Sequence, residues 1–74
     1  MNNKDKTHIV MNNVRELRMR ANLTQDELAQ AVDATRQTII SIEKGDYVPS
    51  VLLALRLANA LNKKVNEVFS YEKR

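Results

Sequence analysis

The 74-residue chain contains no cysteine and no tryptophan, and it has only one glycine, one proline and three aromatic residues. Without cysteine, it has no disulfide, no thiolate metal site and no cysteine nucleophile. So few glycines and prolines are atypical of turn-rich sandwiches and barrels, and they favour a helical bundle built on Leu, Ile, Val and Ala. No apolar run reaches the roughly 20 residues that cross a membrane, and residues 1–10 lack the apolar block of a secretory signal. The composition therefore predicts a small, cytoplasmic, all-α domain.

Length and charge set further limits on function. At 74 residues the chain forms one domain with a small core. The net charge of +3 permits nucleic-acid binding, but only the placement of the charges can argue for it. One histidine and no carboxylates paired in a plausible cleft make an enzyme a poor hypothesis. We therefore expect a non-enzymatic protein without a cofactor or a metal site.

Apolar residues at helical spacing predict four helices and a final short helical turn between residues 12 and 69. The four helices follow residues that favour N-caps. These are Asn12 or Asn13, Thr24, Thr35 and Ser50. The segment Thr7–Met11 and the tail Phe69–Tyr71 also allow a small two-stranded antiparallel ribbon. The predicted organisation is an arm or strand at residues 1–11, a helical domain at 12–69 and a tail or strand at 70–74.

The most informative segment is Leu23–Gly45, LTQDELAQAVDATRQTIISIEKG, which predicts two short helices joined by a tight turn at Asp33–Ala34. Thr24 and Glu27 have the spacing of a capping box. The inward positions of the two helices are apolar: Leu28, Ala29, Val32, Ile39 and Ile42. The opposite face of the second helix carries Arg36, Gln37, Thr38 and Ser41. Arginine can bind guanine and glutamine can bind adenine through two hydrogen bonds each, so this face suits base edges and phosphates.

This segment resembles the helix-turn-helix of the Cro/CI-type (XRE) family of phage repressors and bacterial regulators. The pattern LTQDELA, TRQTI, IEKG and then Pro49–Ser50 occurs at the family's spacing, and the likeness extends from about Val14 to Phe69. The resemblance implies an all-α, five-helix bundle of the lambda-repressor-like type that binds operator DNA, usually as a dimer. Asp33 stands where the family often has glycine, and aspartate tolerates the left-handed backbone that such a turn needs.

The side-chain chemistry and the resemblance together assign roles to individual residues. The predicted base-reading residues are Arg36, Gln37, Thr38 and Ser41. The predicted phosphate contacts are Thr24, Gln25, Thr35, Lys44 and Tyr47. The resemblance also implies that Arg18 and Glu43 form a structural ion pair that holds the second helix of the motif. Ile40 faces outward, where it either touches a thymine methyl or is simply exposed. The alternative for Arg36 and Gln37 is that they have no binding role and belong to an ordinary solvated helix face.

The small size of the domain and the surplus of apolar residues in its fourth helix predict that the protein forms a dimer. One recognition helix covers little DNA, so adequate affinity favours a homodimer whose recognition helices lie about 34 Å apart on a near-palindromic operator. The helix after Ser50 is apolar almost all the way round, which indicates a second buried contact. We predict a dimer interface there that includes Leu61, Val65 and Val68. The expected partners are double-stranded DNA and a second copy, with no membrane and no small-molecule effector.

Two functions compete on these grounds. The first is a sequence-specific transcriptional regulator, by default a repressor, because so small a domain would block polymerase by occupying its site. The alternative is a protein-interaction module, such as the antitoxin of a toxin–antitoxin pair, since the apolar surplus suits a foreign partner equally well.

Overall fold

The computed structural model describes residues 8–73, which form five α-helices and a two-stranded antiparallel sheet. In chain order the elements are β1 (His8–Asn12), α1 (Val14–Arg20), α2 (Gln25–Ala31), α3 (Arg36–Lys44), α4 (Val51–Ala60), α5 (Val65–Val68) and β2 (Phe69–Lys73). This confirms the five-helix bundle and the terminal ribbon. Thr7, at which the predicted first strand begins, lies outside the described residues. Among residues 8–73, no helix combines the length and the apolar character needed to cross a membrane.

The helices begin at caps that the local sequence predicts. The Thr24 hydroxyl accepts the backbone N–H of Glu27, and the Glu27 carboxylate accepts the backbone N–H of Thr24, which is the predicted capping box. Thr35 and Ser50 each accept the backbone N–H three residues ahead, at 3.1 Å. These bonds satisfy donors that have no partner inside a helix.

The start of α1 uses both of the asparagines that the sequence left as alternatives. Asn13 occupies the N-cap position, but its side chain donates to the Glu67 carbonyl instead of capping the helix. Asn12 supplies the capping oxygen, because its Oδ1 accepts the backbone N–H of Val14 at 3.1 Å. Its Nδ2 also donates to the Ile42 carbonyl in the last turn of α3 at 3.0 Å. Asn12 therefore ties the ribbon and α1 to the C-terminal end of α3.

Each of the first four helices, or the turn that directly follows it, ends at a residue in the left-handed backbone conformation. Gly45 closes α3 at φ 83°, and Asn22, Asp33 and Asn62 have φ values of 57–58°. Asparagine and aspartate are the non-glycine residues that adopt this region most readily. The tight turn between α2 and α3 is thus made by Asp33, as predicted.

Ten apolar side chains make one core to which all five helices contribute. They are Val14, Leu28, Ala29, Val32, Ile39, Ile42, Leu57, Ala58, Leu61 and Val68. The predicted inward residues of α2 and α3 are all among them. Since α3 buries Ile39 and Ile42, its other face is directed away from the bundle.

The predicted dimer interface needs a correction at two of its three residues. Leu61 and Val68 are 6% and 1% exposed, so they belong to the protomer's own core and cannot meet a second copy. The physical reason is the turn at Asn62, which brings α5 back against the end of α4. Val65 keeps 39% of its surface exposed. The apolar surplus of α4 lies elsewhere, on Val51, Leu52 and Leu55, which together with Val48 in the preceding loop are all exposed.

Candidate nucleic-acid interface

The outward side of α3 carries two parallel rows of side chains. Residues four apart lie above one another on a helix, so Arg36, Ile40 and Lys44 form one row, and Gln37 and Ser41 form the next. A groove of about 600 Å³ flanks the first row and continues between α1, α2 and α3. A smaller groove of about 260 Å³ flanks the second row. Every side chain predicted to touch DNA lines one of the two grooves: Thr24, Gln25, Arg36 and Lys44 the larger, and Thr35, Gln37, Thr38, Ser41 and Tyr47 the smaller.

The charged and amide side chains of these rows are free to bind. Within the described part of the chain, Arg36, Gln37 and Lys44 are exposed, and their side chains make no hydrogen bond or ion pair. An unpaired guanidinium and an unpaired amide on an exposed face retain the donors and acceptors that match guanine and adenine in the major groove. Ile40 is half-buried against the first groove, so it presents an apolar surface between the two cations of its row.

The hydroxyls of Thr35 and Thr38 have a structural role at the start of α3. The Thr35 hydroxyl accepts the backbone N–H of Thr38 at 3.1 Å, and the two hydroxyls lie 2.9 Å apart in a hydrogen bond. Thr24 likewise accepts the backbone N–H of Glu27. A threonine hydroxyl that accepts a backbone N–H still has its own proton to donate, so capping and phosphate binding are compatible in Thr24.

A largely buried ion pair links α1 to the last turn of α3 along the larger groove. Arg18 Nε donates to Glu43 Oε2 at 2.6 Å and Arg18 Nη2 to Glu43 Oε1 at 3.2 Å, so the pair is bidentate. The two side chains are 12% and 5% exposed. Arg18 Nη1 also donates to the Leu23 carbonyl at 2.9 Å. The guanidinium thus joins α1, the chain before α2 and the last turn of α3.

Gln25 takes part in the same network. Its Nε2 donates to Glu43 Oε1 at 3.1 Å, which connects the first residue of α2 to the end of α3. Only one of the two N–H bonds of a primary amide is used in this way. The second N–H and the amide oxygen remain for a ligand, so the structure gives Gln25 a positioning role that sequence reasoning missed, beside its predicted phosphate contact.

The larger groove is cationic. Arg15, Arg18, Arg36 and Lys44 line it, against Asp26 and Glu43. Because Arg18 and Glu43 neutralise each other, three free cations face one carboxylate. Arg15 is absent from the predicted site, although its spacing of three residues from Arg18 on α1 was a usable signal. Among residues 8–73, no group of three or more His, Cys, Asp or Glu side chains lies together as a metal site.

A helix-turn-helix family model matches residues 14–68, the part of the chain that holds all five helices. The chain belongs to the XRE-type helix-turn-helix family. Its fold, the Cro/CI-type bundle, is the one that the residue pattern predicted.

Relatives in this family come from bacteria and archaea. The chain is 51% identical over 61 residues to YgzD of Bacillus subtilis, an uncharacterised HTH-type transcriptional regulator, and the match covers 82% of this chain and 92% of the relative. It is 44% identical over 61 residues to an uncharacterised HTH-type transcriptional regulator, MJ0272, of Methanocaldococcus jannaschii, with the same coverage. These family members are named as transcriptional regulators and not as enzymes.

Solved structures show the same architecture. The restriction-modification controller protein C.AhdI of Aeromonas hydrophila superposes with a TM-score of 0.70 at 33% identity, over 73% of this chain and 82% of that chain. The transcriptional regulator VanUg superposes with a TM-score of 0.75 at 20% identity, over 100% and 99% of the two chains, and this likeness shows the fold alone. The protein is therefore a helix-turn-helix transcriptional regulator that binds DNA.

Proposed function

We propose that the protein is a cytoplasmic repressor that binds a near-palindromic operator as a homodimer, with α3 as the recognition helix in the major groove. The observation that carries this proposal is the outward face of α3, where free Arg36 and Gln37 side chains stand at the N-terminal end of a helix that Glu43 and Arg18 hold at its other end. The N-terminal residues of a recognition helix are those that contact base edges in this class of protein.

The residues of the interface fall into two groups, those that contact bases and those that contact the DNA backbone. Arg36 and Gln37 bind base edges through two hydrogen bonds each, and Thr38 and Ser41 contact neighbouring bases on the same side. Lys44 and Tyr47 lie beyond the base-reading residues and bind the sugar–phosphate backbone. Thr24 and Gln25 bind phosphates with the hydroxyl and amide groups that capping and the Glu43 contact leave unused. Thr35 binds a phosphate with its own hydroxyl proton when the Thr38 hydroxyl is the donor of the bond between the two threonines. Phosphate contacts set the register, and base contacts supply the sequence preference.

The apolar face of α4, defined by Val51, Leu52 and Leu55 together with Val48 in the preceding loop, is the proposed dimer interface. These four side chains are more than half exposed, and Val51 retains 77% of its surface. A second copy is the occupant that best suits a protein of this size, because two recognition helices are needed to read a two-fold operator. The same apolar surface at the same place on both copies makes a self-complementary, isologous contact.

A second candidate function is the antitoxin of a toxin–antitoxin pair. The observation that favours it is the same exposed apolar face, which a foreign protein could cover. Co-purification with a toxin encoded beside the gene, together with the absence of any selected DNA motif, would support this role over the first.

Selection from random duplex DNA with the purified protein tests the leading proposal. We expect a near-palindromic motif with half-sites one helical turn apart. Arg36→Ala and Gln37→Ala should each weaken binding by about 1–3 kcal/mol and relax the preference at one base position per half-site. Lys44→Ala is the matched control, since it should weaken binding to all sequences alike and leave the motif unchanged. An unchanged motif in both the Arg36 and the Gln37 variant would contradict the assignment of the base-reading residues.

A further inference from the structure

The groove of about 600 Å³ beside the recognition helix is bordered by α1 as well as by α2 and α3. From α1 it receives Arg15 and Arg18, which lie one turn apart on the same side of that helix. Arg18 is committed to Glu43 and to the Leu23 carbonyl. Arg15 is thus the α1 side chain in this groove that can bind something else.

Arg15 has no anionic partner within the described residues. The neighbouring acid on its own helix, Glu16, accepts a hydrogen bond from Arg20 at 2.7 Å. Glu43, which lines the same groove, is satisfied by Arg18 and Gln25. Asp26 also lines the groove, but it makes no ion pair with Arg15. An exposed guanidinium therefore faces a cleft in which the nearby carboxylates are either engaged elsewhere or out of its reach.

The remaining charges of the groove favour an anion. Arg36 and Lys44, at the two ends of the first row of α3, are free cations as Arg15 is, and together they outnumber the single free carboxylate of Asp26. The groove runs directly beside the helix that is proposed to enter the major groove. The DNA backbone that forms the wall of a major groove carries one phosphate charge per nucleotide, and guanidinium groups match phosphate oxygens in a bidentate way.

We propose that Arg15 binds a phosphate of the DNA backbone, so that α1 holds the operator together with α2 and α3. This inference rests on the proposed function, and it adds a contact that none of the predicted residues supplies. The contact carries no base preference, because it is made to a phosphate. In the larger groove it joins the proposed phosphate contacts of Thr24, Gln25 and Lys44, on the side of α3 away from Tyr47.

The salt dependence of binding tests this contact. For Arg15→Ala, the negative slope of log affinity against log salt concentration should become shallower by about 0.9, the value for a single phosphate neutralised. Affinity should fall by the same factor for the selected site and for scrambled DNA. Arg15→Lys should restore most of the slope because it restores the charge. Lys63→Ala is the matched control: it removes one positive charge at an exposed position that does not line the groove, and it should change the slope by less than half as much.

Neutral methylphosphonate linkages placed one at a time along the selected operator locate the contact. With the unaltered protein, one neutral linkage per half-site should weaken binding because it removes the phosphate charge that Arg15 contacts. With Arg15→Ala, the same linkage should have no effect, and every other sensitive position should stay sensitive. An Arg15→Ala protein with an unaltered circular dichroism spectrum, an unaltered salt slope and an unaltered sensitivity map would overturn this contact alone. Failure of the unaltered protein to bind any selected DNA would instead overturn the proposed function and, with it, this inference.

Discussion

Glu43 is the residue that joins the three helices bordering the larger groove. Its carboxylate accepts hydrogen bonds from Arg18 of α1 and from Gln25 of α2, while its own backbone belongs to the last turn of α3. A pair of buried charges adds little net stability, because desolvation offsets the attraction between them. Removing one partner is costly, however, because the other charge stays largely shielded from water and has no counter-charge. The same residue therefore fixes where the recognition helix stands.

For Glu43→Ala we expect the free energy of unfolding to fall by about 2–4 kcal/mol, since Arg18 would remain nearly buried without a counter-charge. In a domain of this size that corresponds to a melting temperature about 10 °C lower or more. Glu16→Ala is the matched control, because it breaks an ion pair whose side chains are 72% and 58% exposed, and it should cost less than about 0.5 kcal/mol. Thermal unfolding followed by circular dichroism gives both values. Equal destabilisation in the two variants would contradict the structural role of Glu43.

At the scale of the element, α3 is held at both ends by groups outside its hydrophobic stripe. Thr35 caps the start, Gly45 ends the helix in the left-handed conformation, and Asn12 donates to the Ile42 carbonyl in the last turn. Ile39 and Ile42 anchor the helix to the core between these points. Nine residues are too few to form a stable helix alone in water, so packing and capping together determine its length and its position.

Thr35→Ala should remove the cap of α3 and lower the free energy of unfolding by about 1 kcal/mol. Thr35→Ser should retain the cap, because serine presents the same hydroxyl to the Thr38 N–H. Urea denaturation measures the free energy of unfolding of each variant. Titration with the selected operator shows whether loss of the cap also lowers DNA affinity. If serine were as destabilising as alanine, the hydrogen bond to Thr38 would not be the cause.

At the scale of the whole molecule, α4 has two apolar sides with different surroundings. Leu57 and Ala58 are buried in the core, whereas the apolar face of α4 is open to solvent. Several exposed apolar side chains at nearby positions on a small protein are typical of an interaction site. Since Leu61 and Val68 are buried inside the protomer, this face and Val65 at the start of α5 are what α4 and α5 can offer to a second copy.

Leu55→Glu should convert the proposed dimer to a monomer at micromolar concentration and leave the protomer folded, because the side chain is already half exposed. Operator affinity should fall sharply, since each half-site would then be bound alone. Leu57→Ala is the contrasting variant: it should lower the free energy of unfolding by about 2–5 kcal/mol, because its side chain is fully buried. Analytical ultracentrifugation with and without operator DNA measures the assembly. A monomer in both conditions for the unaltered protein would contradict the dimer.

Local signals in the sequence predicted much of this molecule correctly. The capping box of Thr24 and Glu27, the cap at Thr35, the left-handed turns at Asp33 and Gly45 and the inward residues of α2 and α3 all depend on positions within about four residues of one another. Such features follow from the backbone hydrogen bonding and periodicity of the helix itself. The outward placement of Arg36 and Gln37 follows from the same periodicity, because Ile39 and Ile42 must face the core.

How the helices pack on one another could not be predicted from local signals and became clear only from the tertiary structure. An apolar residue in α4 or α5 carries no local mark that distinguishes a core position from an interface, and the interface prediction for Leu61 and Val68 is wrong because the turn at Asn62 packs α5 against α4. Gln25 meets Glu43, and Arg15 borders the groove beside α3, for a similar reason: both depend on where α1 and α2 lie relative to α3. By itself, then, the sequence determined the helices, the caps of α2, α3 and α4 and the family, because these follow from short-range rules and a recognisable pattern. Which apolar and charged side chains remain free for DNA and for a second copy depends on how the helices pack together, and only the tertiary structure decided that.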